Sequence, residues 1–291
     1  MFRLSPILVR FPPSFLRTQE PSRPAYTPWL KGIAILSVCA LAFPAIAADI
    51  TPLPNAHAHN DYEHDRPLLD ALDHGFCSVE ADIHLVDGQL LVAHDADKVD
   101  PAKTLQKLYL DPLQARVKAN DGRVYPGGPR FILLIDFKTN GEETYAALRP
   151  VLETYKEMLT RFTPDSTEEN AVTIILSGSR PIKVLRAEPE RYAAIDGRFP
   201  DLDGEVNPNL IPLISDSWWS RYRWSGKGDM PDNVRIDMVD DVARAKAQGC
   251  ITRFWALPHN EDLWAHLLKS GVDLINVDDL ARLQTFLLEQ Q

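Results

Sequence analysis

Downstream of residue 47 the apolar positions come in short runs separated by stretches with helical spacing. The runs are 54–59, 78–85, 90–94, 130–138, 171–177, 193–196, 210–215, 251–257 and 274–277. Most are continuous or rich in β-branched residues, as expected for strands buried on both faces. Between them, 66–74, 144–161, 237–248 and 261–269 repeat apolar residues at three and four, and Pro67 and Gly75 mark the start and stop of the first. Strands alternating with helices predict a parallel sheet. Asp87-Gly88 is a hairpin signal that sets 78–85 antiparallel to 90–94. About 244 residues follow Ala47, the size of one α/β barrel, so a single TIM-type (β/α)8 domain over 48–291 is the expected fold.

The first 47 residues read as an address. Trp29-Leu30-Lys31-Gly32 precedes an apolar run from Ile33 to Phe43, followed by Pro44-Ala45-Ile46-Ala47-Ala48, a small-x-small pattern suited to signal-peptidase cleavage after Ala47. The run is shorter than the roughly 20 apolar residues of a membrane span, so no stable span is expected. Export to a periplasmic or extracellular location follows, with a mitochondrial transit peptide as the rival reading.

Composition narrows the partners. With 31 Lys and Arg against 41 Asp and Glu the net charge is -10, which argues against nucleic acid, because phosphate backbones are gripped by clustered basic residues. A phosphorylated small molecule is not excluded, since a metal ion can supply positive charge locally. Outside the leader, Cys77 and Cys250 could form one disulfide or remain two buried thiols.

The polar residues that interrupt the strands carry the chemistry. Side chains two apart on a strand share a face, so Glu80 and Asp82 project together while Val79, Ala81 and Ile83 point to the apolar side. Phe131 to Ile135 form a buried run that delivers Asp136 and then Lys138 at its C-terminal end, the functional end of a barrel strand. Burying such acids costs several kcal/mol each unless they are paired or bind a cation. Glu80, Asp82, Asp136 and the Asn60 amide oxygen make an all-oxygen set suited to one hard divalent ion, Ca²⁺ or Mg²⁺. A salt-bridge network with Lys138 and a nearby arginine is the alternative. His59 and His94 both end apolar strands, and two imidazoles flanking a cation can move the two protons that phosphodiester cleavage requires.

These residues carry a resemblance. His59-Asn60-Asp61-Tyr62, followed by Ser78-Val79-Glu80-Ala81-Asp82, Leu90 to Asp95 and Leu134 to Lys138, resembles the superfamily of phosphatidylinositol-specific phospholipases C and glycerophosphodiester phosphodiesterases. Ser270 to Leu280 resembles its closing strand, and Pro67 to Leu72 matches the subgroup named for altered inheritance of mitochondria protein 6. The resemblance implies a metal-dependent phosphoric diester hydrolase, with a small-molecule or lipid phosphodiester as substrate and a place in lipid metabolism. It makes His59 and His94 the acid–base pair, Glu80, Asp82, Asp136 and Asn60 the metal ligands, and Lys138 the residue that neutralises substrate phosphate. His57 is read as a supporting residue behind the ligands. The chain departs from many glycerophosphodiesterases in reading His-Asn-Asp where they read His-Arg-Gly, which leaves the substrate head group open.

Two other classes compete. Metal-dependent amidohydrolases also begin with His-x-His, but they need histidines on later strands, and 171–177, 193–196 and 210–215 contain none. A non-catalytic barrel that binds a phosphorylated ligand or sugar would draw on Trp218, Trp219, Trp224 and Trp255. The remaining histidines, His64, His74, His84, His259 and His266, are read mainly as surface residues.

Overall fold

The computed structural model describes residues 50–291; the leader, its cleavage position and Cys39 lie outside them. Among the described residues eleven strands form: β1 (Leu53–Ala58), β2 (Phe76–Val86), β3 (Gln89–Val92), β4 (Phe131–Phe137), β5 (Arg161–Phe162), β6 (Thr167–Glu168), β7 (Val172–Gly178), β8 (Ala194–Gly197), β9 (Leu213–Ser217), β10 (Ile251–Trp255) and β11 (Leu274–Val277). Eight of them run parallel in the order β1-β2-β4-β7-β8-β9-β10-β11, and the pairing of β11 with β1 closes the ring. The fold is thus a (β/α)8 barrel. The helices are α1 (Leu69–Asp73), α2 (Asp111–Ala119), α3 (Gly141–Thr154), α4 (Ile182–Ala187), α5 (Trp218–Arg221), α6 (Asp232–Ala247), α7 (Glu261–Ser270) and α8 (Leu280–Glu289). None among the described residues is long and apolar enough to cross a membrane.

β3 lies outside the ring, antiparallel to β2, with Ile83 opposite Val92. Asp87 and Gly88 turn the hairpin with φ of 49° and 77°, the left-handed pair of a two-residue turn that Asp-Gly accommodates best. The hairpin brings the residues after β3 back alongside Asp82, whose carbonyl accepts the Ala93 N–H at 3.2 Å.

The barrel interior is graded. Ile132, Leu134, Ile175, Leu213 and Leu274 pack together as its apolar cluster. One pleat higher the strands carry Glu80, Ser177, Asp196, Ser215, Arg253 and Asn276, all buried polar residues. Burial of such groups is tolerable only because they are paired with one another. The alternate residues Val79, Ala81, Ile83, Leu133 and Ile135 belong to the larger core shared with the helices.

The strand expectations hold to within a few residues, and three differences have physical causes. The region 144–161 is α3 ending at Thr154, then a short turn and β5, because α3 is capped by the Asn140 side chain and unwinds at Tyr155. α2 and α8 are not among the expected helices, although Pro112 stands in the first turn of α2 and the Asp279 side chain accepts the Arg282 N–H to cap α8; both pack apolar faces on the barrel. His84 is not at the surface: it is buried, with its Nε2 3.2 Å from the His94 carbonyl.

Candidate active site

The C-terminal ends of β1, β2, β4, β7 and β10, with the segments after β3 and β8, surround a cavity of about 300 Å³ lined by His59, Asn60, Glu80, His94, Asp136, Lys138, Ser177, Arg198, Arg253 and Trp255. The barrel floor is closed by the apolar cluster, so the polar groups gather at this mouth.

Three carboxylates converge there. One oxygen from each of Glu80, Asp82 and Asp136 lies within 4.8 Å of the others, because Asp82 pairs with Asp136 across β2 and β4 while Glu80 sits one pleat below Asp82. Each acid is engaged on one oxygen. Glu80 Oε2 accepts from Arg253 Nη1 at 2.9 Å. Asp82 Oδ2 accepts from the Tyr62 hydroxyl at 2.6 Å and His94 Nδ1 at 2.9 Å, and lies 3.0 Å from Lys138 Nζ. Asp136 Oδ1 lies 3.1 Å from the same ammonium.

The second oxygens are the informative ones. Asp82 Oδ1 is buried without a hydrogen-bond partner, a state that costs roughly 1–3 kcal/mol or more for a charged group. Burial, with the Asp82 and Glu80 charges, pushes the Asp136 carboxyl above its usual range despite Lys138. Glu80 is also buried, but the Arg253 charge beside it holds its carboxyl well below the carboxylate range. A salt-bridge network is therefore present, and it leaves Asp82 Oδ1 unpartnered at the gap where one oxygen of each acid lies within 4.8 Å of the others. A hard cation at that gap would satisfy the orphaned oxygen and relieve the crowding, so these residues fit Ca²⁺ or Mg²⁺. Asn60 lines the same cavity from a left-handed backbone, φ 45°.

Gly178 permits this closeness. A Cβ there would stand 2.4 Å from Asp136 Oδ1 and 2.5 Å from the Phe137 carbonyl, and its φ is +66°. Only glycine fits on both counts.

The two histidines line the same cavity and are tethered alike. His59 Nδ1 bonds Asp278 Oδ1 at 2.7 Å, and His94 Nδ1 bonds Asp82 Oδ2 at 2.9 Å. Carboxylates only accept, so each Nδ1 carries the proton and each Nε2 is left free of these tethers. Burial would lower the His59 ring, but the Asp278 hydrogen bond and the Glu80 and Asp278 charges outweigh it and raise its proton affinity.

His57 is of another kind. It is fully buried, with Nδ1 2.7 Å from Ser78 Oγ and Nε2 2.7 Å from Arg253 Nη1. Guanidinium can only donate, so Nε2 accepts and the ring is neutral. Burial and then the Arg253 charge push it down to about 4. Asp61, in the same polar octet, faces away: its Oδ2 accepts from the Leu68 N–H and the Tyr109 hydroxyl, pinning the turn after β1.

Of the sequence-derived residues, the structure brings His59, Asn60, Glu80, His94, Asp136 and Lys138 to one cavity, sets Asp82 among the carboxylates, and places His57 beneath Glu80. Four partners went unread as site residues: Arg253 on β10, Asp278 after β11, Tyr62 after β1 and Arg198 after β8. A charged residue in the middle of the apolar run Ile251-Thr252-Arg253-Phe254 was the available signal for the first. Among the tryptophans, Trp218 and Trp224 are core residues packed edge-on, Trp219 is exposed, and Trp255 lines the cavity.

The chain is 28% identical to altered inheritance of mitochondria protein 6 of Eremothecium gossypii, over 83% of this chain and 71% of that protein. It is 27% identical to the homologue of that protein in Arthroderma benhamiae, over 81% of this chain and 84% of the relative. A solved glycerophosphodiester phosphodiesterase from Parabacteroides distasonis superposes with a TM-score of 0.49 at 18% identity, covering 82% of this chain and 99% of its own. The profile of the AIM6-like phosphodiesterase domain matches residues 44–196, from before β1 through all but the last residue of β8. That stretch is over half the chain and holds both tethered histidines and all three carboxylates, so the chain belongs to the family of AIM6-like phosphodiesterase domains.

Proposed function

We propose that the protein is a divalent-metal-dependent phosphoric diester hydrolase acting on a glycerophosphodiester- or phospholipid-like substrate. The observation that carries this reading is the set of three carboxylates with one oxygen of each within 4.8 Å of the others, Asp82 Oδ1 unpartnered, in a cavity that two histidines tethered through Nδ1 also line. Glu80, Asp82, Asp136 and the Asn60 amide oxygen would hold Ca²⁺ or Mg²⁺, which when bound neutralises charge building on the phosphoryl oxygens.

The chain's own groups supply the rest. His59, held by Asp278 and raised in proton affinity, suits protonation of the leaving alcohol. His94, fixed through Nδ1 to Asp82, offers Nε2 to take the proton of the nucleophile, either water or a neighbouring substrate hydroxyl. Lys138 contributes a fixed ammonium beside the acids for the substrate phosphate. Trp255 gives the cavity an aromatic wall. The Ile33–Phe43 run and the Ala45-Ile46-Ala47 pattern support export with cleavage after Ala47, testable by N-terminal sequencing of the secreted chain.

The test is hydrolysis of bis(p-nitrophenyl) phosphate with Ca²⁺, Mg²⁺ or EDTA, followed by ³¹P NMR of products from glycerophosphodiesters, inositol lipids and lysophospholipids. Chelation should abolish turnover, and His94→Ala should lower it about 10²–10⁴-fold. Turnover untouched by either removes the mechanism.

A further inference from the structure

Arg198 follows β8 and lines the cavity on the wall opposite His59, since β8 is four places round the eight-stranded ring from β1. Its guanidinium is gripped along one edge. Nη1 lies 2.8 Å from Asp196 Oδ2 and donates to the Gly197 carbonyl at 2.9 Å and Ser215 Oγ at 3.2 Å. Nη2 has only a long contact, 3.4 Å to Ser177 Oγ, and Nε has no partner among the described residues.

The anchor is rigid. Asp196 is fully buried, and its Oδ2 also accepts from Ser177 Oγ at 2.7 Å and Ser215 Oγ at 2.8 Å. Neutralising Asp196 needs only the Nη1 edge, and a lysine at this position would do it. The Nε–Nη2 edge left over is a pair of parallel N–H donors, the geometry that binds carboxylate or phosphate oxygens two at a time. The other cavity cations are engaged, Lys138 by Asp82 and Asp136, and Arg253 by Glu80 and His57. Arg180 adds a second guanidinium at the same strand end, donating to the Asp196 carbonyl, and burial together with the Arg198 charge lowers its proton affinity. The Asp196, Asp201 and Asp136 charges oppose that lowering without reversing it.

We infer that Arg198 forms an oxyanion subsite distinct from the scissile phosphate, so the preferred substrate carries a second anionic oxygen group, a phosphomonoester or a carboxylate, besides its diester. This rests on the phosphodiesterase reading above and specifies its substrate. The scissile group belongs to the sector of β1, β2 and β4, where the histidines and acids stand; the second group reaches across the mouth to β8.

The metal-supplemented protein is assayed on glycerophosphoglycerol, on its terminal phosphate ester, and on the analogue ending in glycerate. The first lacks the second anion, and the other two separate phosphate from carboxylate. The wild type should favour one or both anionic forms by about ten- to hundredfold in kcat/KM, chiefly through KM, the range of a charged hydrogen-bond pair. Arg198→Lys, which keeps a cation for Asp196 but removes the fork, should cut that preference to within about threefold; Arg198→Gln should do the same. Calorimetric binding of 1,3-propanediol bisphosphate against propyl phosphate gives a readout free of turnover, and the bisphosphate advantage should likewise vanish in Arg198→Lys. An anionic preference that survives Arg198→Lys, or equal losses on charged and uncharged diesters, overturns the inference. Arg198-dependent bisphosphate binding without hydrolysis of any diester would remove the phosphodiesterase reading and leave the subsite. Hydrolysis with no Arg198-dependent preference in either assay would remove the subsite alone.

Discussion

Replacing Arg253 with methionine tests how the buried half of the site is held. Arg253 Nη1 reaches Glu80 Oε2 at 2.9 Å, His57 Nε2 at 2.7 Å and Asn276 Oδ1 at 3.2 Å, and both Arg253 and Glu80 are buried. Methionine fills much of the same volume but leaves a buried carboxylate without its cation and a buried imidazole nitrogen without its donor. Removing one partner of a buried ion pair costs about 3–5 kcal/mol. For a domain of this size that is a fall in Tm of roughly 6–20 °C. The assay is urea unfolding of wild type, Arg253→Met, Glu80→Gln and the double variant. Glu80→Gln also destabilises, because it strands Arg253, whereas the double variant should recover part of the loss and give a coupling of about 1–3 kcal/mol. Acidification should narrow the Arg253→Met deficit, since a protonated Glu80 no longer needs the cation. A loss under about 1 kcal/mol, or strict additivity in the double variant, would refute the argument that Glu80 depends on Arg253.

Asp278→Asn should lower turnover by up to about 10⁴-fold by freeing the His59 ring, and the high-pH limb of kcat/KM should move to lower pH because Asp278 no longer raises His59; an unmoved limb counts against His59 as proton donor. His57 resists protonation down to about 4 when folded, whereas the unfolded ring takes a proton near 6.5. The unfolded state thus binds the extra proton between these values, so stability should fall as pH drops from 6.5 to 4, by about 3 kcal/mol in all. Urea titrations at three pH values should show that slope in wild type and a flatter one in His57→Gln. Burial pushes the Cys77 thiol up to about 12 and Cys250 up to about 11, and both are unbridged. Neither should react with DTNB at pH 8 until the protein unfolds, and prompt reaction of either in the folded protein would contradict their burial.

The barrel was legible because its strands are continuous apolar runs whose C-terminal residues change abruptly to acids and histidines. Glu80, Asp82 and Asp136 stood out because each is a charge set into a run otherwise suited only to burial. Their partners were illegible for a different reason. Arg253 lies 173 residues from Glu80 and Asp278 lies 219 from His59, so their association exists only once the ring closes, and no local spacing records it. Arg198 was hidden in a loop without periodicity, and its role depends on Asp196 and two serines from neighbouring strands. Helix ends were misjudged where a side-chain cap or an early turn, rather than apolar spacing, decides the boundary, as at Asn140 and Tyr155.

The pairing of β11 with β1 has a temporal meaning as well. A ribosome releases His57, His59 and Glu80 first and their counterparts Arg253 and Asp278 last, so these three side chains are made long before the groups that hold them. Closure of the ring is therefore the step that unites them, and a product truncated ahead of β10 would lack both Arg253 and Asp278.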